Sequence, residues 1–106
     1  MIVRPPHITP LSVVEDIIRI AQGELPLKDR LVLTDARIDQ FVSDLEDYGR
    51  QYPASRKTND SLKKQLRHRL KAAANRWIGM EEVSVFKEAL TRLTARDDRE
   101  HGAILH

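Results

Sequence analysis

The sequence of 106 residues contains no cysteine, four glycines and few aromatic residues, which make up 5% of the chain. Without thiols there are no disulfides, and a zinc site would need histidine and carboxylate ligands only. The longest apolar runs are pairs and triples such as Leu31-Val32-Leu33, which are too short for a membrane span or the core of a signal peptide. We therefore expect a cytoplasmic protein that neither enters a membrane nor needs an oxidising compartment.

The composition is that of a folded protein. Hydrophobic residues make up 41% of the chain and charged residues 32%, with both signs of charge represented. Disordered chains are instead depleted in apolar residues and biased to one sign of charge. A chain of this length buries roughly two thirds of its unfolded surface, which is enough for one self-sufficient core. We expect a single helical domain over residues 1–106.

Apolar residues recur at intervals of three and four in four segments, which predicts four helices at 11–22, 34–50, 60–78 and 81–95. Ser12 and Glu15 have the spacing of a capping box, and Thr34-Asp35 that of an N-cap. Leu31-Val32-Leu33 is expected to run extended before the second helix. The predicted fold class is all-α, a compact four-helix bundle.

The two ends of the chain lack this periodicity. Residues 1–10 contain three of the five prolines, which favour extended backbone, so they are predicted to form an extended arm. Residues 97–106 lose the apolar repeat and are predicted to form a frayed, flexible tail.

The segment 62–78 separates apolar from basic residues most clearly. At 3.6 residues per turn its two sets of side chains lie on opposite sides of a helix. The inward set is Leu62, Leu66, Leu70, Ala73 and Trp77, and the outward set is Lys64, Arg67, His68, Lys71 and Asn75. The first set is predicted to fill one side of the core, and the second is available to a partner.

Charge is distributed unevenly, although the net charge is only +2. Residues 50–76 contain nine basic residues and one acidic residue, Asp60, whereas both flanking parts are mildly acidic. Such a basic segment is typical of contact with the phosphate backbone of DNA or RNA. The residues predicted to make that contact are Arg56, Lys57, Lys63, Lys64, Arg67, His68 and Lys71. No motif distinguishes DNA from RNA or indicates a preferred sequence.

A helical protein-interaction module is the alternative. The first helix is apolar over about half of its circumference, which is typical of a helix with two neighbours and allows for a dimer interface. The predicted second helix presents an acidic face that could contact another copy of the chain, while the basic face could bind an acidic partner. The residues predicted for a protein interface are Val13, Ile17, Ile20, Asp39, Glu46 and Asp47.

The sequence gives no reason to expect an enzyme or a cofactor. Serines such as Ser43 and Ser84 lack the surroundings of a nucleophile, and no glycine-rich phosphate loop is present. His101 and His106 lie near several carboxylates and could gather around a metal ion, but a charged tail has the same composition. We therefore predict no metal site and no small-molecule substrate, and leave the C-terminal cluster open.

Overall fold

The structure, a computed structural model, describes residues 9–76 and 79–105, with side chains as far as residue 96. Its four α-helices are α1 (Pro10–Gln22), α2 (Leu27–Gln51), α3 (Arg56–Arg76) and α4 (Met80–Leu105). A 3₁₀ turn, Pro53–Ser55, precedes α3. The helices pack on one another and the described residues contain no strand, which confirms the predicted all-α four-helix bundle. Residues 1–8 of the arm predicted for 1–10 lie outside the described residues.

The first helix begins with a capping box built by Thr9 rather than by Ser12 and Glu15. The Ser12 amide donates to Thr9 Oγ1 at 3.1 Å, and the Thr9 amide donates to Ser12 Oγ at 3.2 Å. Pro10 occupies the first helical position, where a backbone N–H would have no hydrogen-bond acceptor within the helix, so proline loses nothing there. The helix therefore starts one residue before its predicted boundary, and the prediction of the capping pair was wrong.

The second helix begins seven residues earlier than predicted. Pro26 precedes its first residue, and Asp29 lies in its first turn, where the helix dipole favours a carboxylate. Thr34 is buried inside the helix and its Oγ1 donates to the Arg30 carbonyl at 2.8 Å, so it is no N-cap. The segment Leu31-Val32-Leu33 is consequently helical, and the prediction of an extended connection was wrong.

The last two helices also exceed their predicted bounds. The turn Pro53–Ser55 leads directly into α3, which starts at Arg56 instead of residue 60. The helix predicted for 81–95 continues to Leu105, through most of the segment predicted as a tail. Trp77, which was predicted in the core, lies outside the described residues.

All four helices contribute to one core, and α4 packs against each of the other three. Its contacts with α2 and α3 are the most extensive in the bundle, whereas α2 and α3 meet only sparsely although they are consecutive in the chain. The buried apolar side chains are Val13, Val14, Ile17, Ala21, Ile38, Phe41, Val42, Leu45, Leu66, Leu70, Ala73, Val85, Phe86, Ala89 and Leu93. Helix α1 also packs against the other three, but α4 makes the more extensive contacts of the two.

Helices α2 and α4 run in the same direction. Arg30 pairs with Glu81 near the start of both helices, and Arg92 pairs with Asp39 farther along. The partners are 51 and 53 residues apart, and this nearly constant separation requires parallel helices. In contrast, α1 and α2 are antiparallel, because Arg30 contacts Ala21 whereas Arg37 contacts Asp16.

Candidate nucleic-acid interface

The inner side of α3 contains two polar residues as well as the expected leucines. Leu66, Leu70 and Ala73 are buried as predicted, and Leu62 is partly buried against the core. Asn59 and Lys63 are buried on the same side, with 6% and 8% of their surfaces exposed. This corrects the prediction for Lys63, which cannot present its side chain to a nucleic acid from the outer face.

The outer side of α3 carries the other predicted cations. Lys57, Lys64, His68 and Lys71 are all exposed. At 100° per residue these four positions fall within an arc of about 60°, and they extend over about 21 Å of the helix. We call these four residues the α3 stripe.

Three further cations lie beside the α3 stripe. Arg56 and Arg69 are exposed, whereas Arg67 is only partly exposed and makes contacts within the protein. Arg67 is therefore the less accessible of the predicted phosphate contacts, and Arg69 is an exposed cation that the sequence prediction left out of the site. Asp60 is the one acidic residue within Arg56–Arg76.

No residue of the α3 stripe forms an ion pair within the described part of the chain. The exposed flanking arginines, Arg56 and Arg69, form none there either. The acidic residues predicted to form a face of α2 do not neutralise them, since Asp39 and Glu46 pair with arginines of α4 and Asp47 pairs with Arg50 of α2. The α3 stripe therefore presents positive charge to the solvent over several helical turns.

The carboxylates of α2 are paired across the contact with α4. Arg92 binds Asp39 with two hydrogen bonds, from Nε at 3.1 Å and from Nη2 at 2.8 Å, and the hydrogen bond and charge of Asp39 raise the pKa of Arg92. Arg96 donates to Glu46 at 3.4 Å. Such planar pairing suits arginine, whose donors form a fixed fork. Asp39 and Glu46, two of the acidic residues predicted for a protein interface, are therefore paired within the chain.

The remaining residues predicted for a protein interface are placed differently. Val13 and Ile17 are fully buried in the core, so the folded monomer offers neither to a partner, which corrects their assignment to an interface. Ile20 is partly buried against the core. Asp47 is exposed and pairs with Arg50 one turn along α2. Apart from Leu11, which is 49% exposed, the wide apolar arc of α1 is thus accounted for by packing within the chain.

Two carboxylates, Asp35 of α2 and Glu88 of α4, meet beside the Asp39–Arg92 pair. Burial raises the pKa of Glu88 above its ordinary value, and the hydrogen bond and the charge of Asp35 raise it further, while the charge of Arg92 lowers it. The Oδ1 atom of Asp35 is buried without a hydrogen-bond partner in the described structure. This contact favours the protonated form of Glu88.

The sequence prediction missed an open cleft of about 470 Å³ between the C-terminal half of α2 and the N-terminal half of α3. We call it the α2–α3 cleft. Its lining residues are Leu45, Glu46, Gly49, Arg50, Arg56, Asn59, Asp60 and Lys63. The cleft arises where two sparsely contacting helices approach each other, and no local sequence signal indicates such an approach. Of its lining residues, Arg56 and Lys63 were predicted as phosphate contacts and Glu46 as part of a protein interface, but no cleft was predicted.

No group of three or more His, Cys, Asp or Glu side chains that could hold a metal ion occurs among the described residues. His101 and His106 lie beyond the described side chains. In the same part of the chain, no helix has both the length and the apolar character required to cross a bilayer.

Comparison of the chain with protein-family models, with curated proteins and with solved structures gives no match. The chemistry of the surface must therefore carry any functional conclusion.

Proposed function

We propose that this protein binds the phosphate backbone of nucleic acids through the α3 stripe and its flanking arginines, without catalysing a reaction. The observation that carries the proposal is that Lys57, Lys64, His68 and Lys71 are exposed on one side of a helix and form no ion pair with the described residues. Lysine is a mobile point charge that suits phosphate contact without base recognition.

The dimensions of the α3 stripe support contact with several phosphates. Its length of about 21 Å corresponds to roughly six phosphates of one strand, at about 3.4 Å per phosphate along the duplex axis. Three lysines together with Arg56 or Arg69 would neutralise about four of them. Binding should then be non-specific, with a dissociation constant of about 10⁻⁴ to 10⁻⁶ M at physiological salt and a log–log salt slope of about −3 to −4.

The test is a salt titration of binding to a fluorescent duplex of random sequence, followed by anisotropy. The variant Lys64→Glu/Lys71→Glu removes two phosphate contacts and adds two repulsive charges. We expect its affinity at low salt to fall at least tenfold and its salt slope to decrease by about 2, since each lost contact removes about one.

A matched control carries the same change of charge elsewhere. Lys28 and Lys87 are exposed on α2 and α4, so Lys28→Glu/Lys87→Glu alters the net charge equally while preserving the α3 stripe. Because charges are screened beyond about 10 Å at 0.1 M salt, the control should retain most of the binding. The proposal is wrong if the wild type fails to bind duplex or single strands at low salt, or if both double variants lose affinity equally.

A further inference from the structure

The α2–α3 cleft differs from the α3 stripe in its chemistry. Its volume of about 470 Å³ lies in the usual range of ligand pockets, roughly 300–1,000 Å³. Three cations line it, Arg50, Arg56 and Lys63, together with two carboxylates, Glu46 and Asp60. These opposing charges nearly cancel, so the cleft suits an uncharged polar group better than a phosphate.

Asn59 gives the cleft a specific requirement. Its Nδ2 donates to the Leu45 carbonyl at 2.8 Å, which fixes the orientation of the side-chain amide. Its Oδ1 is buried and has no hydrogen-bond partner among the described residues, although the side chain lines the cleft. Buried acceptors are nearly always satisfied in folded proteins, so this oxygen calls for a donor. An N–H group entering the cleft would supply one.

The cleft also adjoins the α3 stripe. Arg56 lines the cleft, and its neighbour Lys57 begins the α3 stripe, so the cleft lies near the N-terminal end of the stripe. Arg56 is exposed and forms no ion pair in the described structure, which leaves its planar guanidinium able to stack on a base. A base of an intact duplex is unavailable, because it is already stacked and paired.

From these features we infer that the α2–α3 cleft receives one unpaired nucleobase with an exocyclic amine, from a single strand bound along the α3 stripe. The inference rests on the proposed function and extends it to a class of substrate. The phosphates remain on Lys57, Lys64 and Lys71, while the exocyclic amine donates to Asn59 Oδ1. Cytosine, adenine and guanine carry such an amine, whereas the one base donor of thymine, its N3–H, lies between two carbonyl oxygens that Asn59 Oδ1 would repel.

The experiment compares the wild-type affinities for 12-nucleotide oligo(dC), 12-nucleotide oligo(dT) and a random duplex of 12 base pairs, by anisotropy at pH 7.5. We expect oligo(dC) to bind at least threefold more tightly than oligo(dT), because the carbonyl oxygens on either side of the thymine N3–H disfavour its approach to Asn59 Oδ1. Gly49→Leu should abolish this difference and leave duplex binding unchanged. A Cβ at position 49 would lie 3.3 Å from Asn59 Nδ2 and 3.6 Å from Arg56 Cγ, so the added side chain enters the cleft.

The control is Gln51→Leu, which adds the same side chain at an exposed position of α2 outside the lining of the cleft. It should retain the preference for oligo(dC). A measurement on the wild type does not depend on whether Gly49→Leu folds: the NMR signals of the Asn59 side-chain amide should shift with oligo(dC) and remain in place with oligo(dT).

The outcomes separate the two proposals. If the wild type binds both single strands and the duplex with equal affinity, and the Asn59 amide signals do not respond to oligo(dC), the cleft inference is overturned and the proposed function stands. If none of the three nucleic acids binds at low salt, both fail.

Discussion

The contact between α2 and α4 and the outer face of α3 use positive charge in opposite ways. Between α2 and α4 the cations are arginines, and Arg30, Arg92 and Arg96 each bind a carboxylate on the facing helix. On the α3 stripe the cations are three lysines, which together with His68 lack such partners in the described structure. Arginine's rigid fork holds two helices together, whereas lysine leaves its charge available to the solvent.

The comparison teaches that total charge is a poor guide to function in this chain. The net charge of +2 does not distinguish a cation held by a carboxylate from an exposed one. Exposure and pairing separate the two groups, and they make different predictions: cations of the α2–α4 contact stabilise the fold, and those of the α3 stripe do not.

The largest effect on the free energy of unfolding is expected for Arg30→Met. Arg30 is buried, with 7% of its surface exposed, and donates to the carbonyls of Leu25 and Ala21 at 2.8 and 3.1 Å as well as pairing with Glu81. Methionine retains an apolar chain but donates to none of them, which leaves acceptors without partners. We expect a loss of about 2–3 kcal/mol in the free energy of unfolding, measured by urea denaturation.

The matched control is Arg19→Met. Arg19 pairs with Asp16 on the same helix, but its side chain is 77% exposed, so its loss should cost at most about 0.5 kcal/mol. Equal losses for the two variants would contradict the distinction between buried and exposed arginines.

A smaller change in the opposite direction, a gain in stability, is expected for the triple variant Lys57→Gln/Lys64→Gln/Lys71→Gln. Lys57 lies in the first turn of α3, where the helix dipole disfavours a cation and no acidic residue is present. Neutralising the lysines also removes repulsion along the helix. The free energy of unfolding at low salt should rise by about 0.5 kcal/mol. In 1 M salt, where screening is nearly complete, thermal melts should show a smaller gain.

A clear loss of stability in this triple variant would mean that the lysines hold the fold together, as the arginines of the α2–α4 contact do. That result would contradict the distinction between the arginines of the α2–α4 contact and the lysines of the α3 stripe. The substitutions Lys28→Gln and Lys87→Gln, at exposed positions of α2 and α4, serve as the control and should change stability by only a few tenths of a kcal/mol each.

The smallest effect is expected for Glu88→Gln. Burial, together with the hydrogen bond and charge of Asp35, raises the pKa of Glu88 in the folded protein. Because the pKa of Glu88 is higher in the folded protein than its value of 4.5 in the unfolded chain, protonated Glu88 stabilises the fold below pH 4.5. This contribution is lost as the pH rises through the pKa of the folded protein. At pH 7 the ionised Glu88 is therefore unfavourable beside Asp35.

Glutamine at position 88 should raise the melting temperature at pH 7, and the gain should fade below about pH 4.5, where Glu88 itself becomes neutral. Solvent screening limits the gain to about 0.5 kcal/mol or less. Glu15→Gln, at an exposed position of α1, should show no comparable pH dependence. A gain that persists at pH 3 would contradict the electrostatic explanation.

The number of helices was predictable from the sequence, because each apolar stripe follows the period of a helix. The start of α2 was not. Thr34-Asp35 has the composition of a cap, but Arg30 stabilises an earlier turn by donating to the carbonyls of Leu25 and Ala21, five and nine residues before it, which no capping pattern includes. Tertiary packing therefore outweighed the local capping signal.

The candidate site was predictable in part. The exposed positions of Lys64 and Lys71 follow from helical periodicity, whereas Lys57 was predicted to precede the helix, which in fact begins at Arg56. The burial of Lys63 does not, because a lysine can extend its apolar stem along an interior surface, and its sequence position alone does not decide this. The α2–α3 cleft depends on how closely two helix ends approach, which only the folded arrangement defines.

The fourth helix has a consequence for how the chain assembles. Helices α2 and α3 meet mainly through α1 and α4, and α4 supplies Val85, Phe86, Ala89 and Leu93 to the core, so the first three helices leave one side of the core open while α4 is absent. Pairing Arg92 with Asp39 also requires closure of a loop between residues 53 apart, whose entropy must be lost before the contact forms. During synthesis the apolar surfaces of the first three helices would consequently stay partly uncovered until α4 has left the ribosome, and self-association competes with folding in that period.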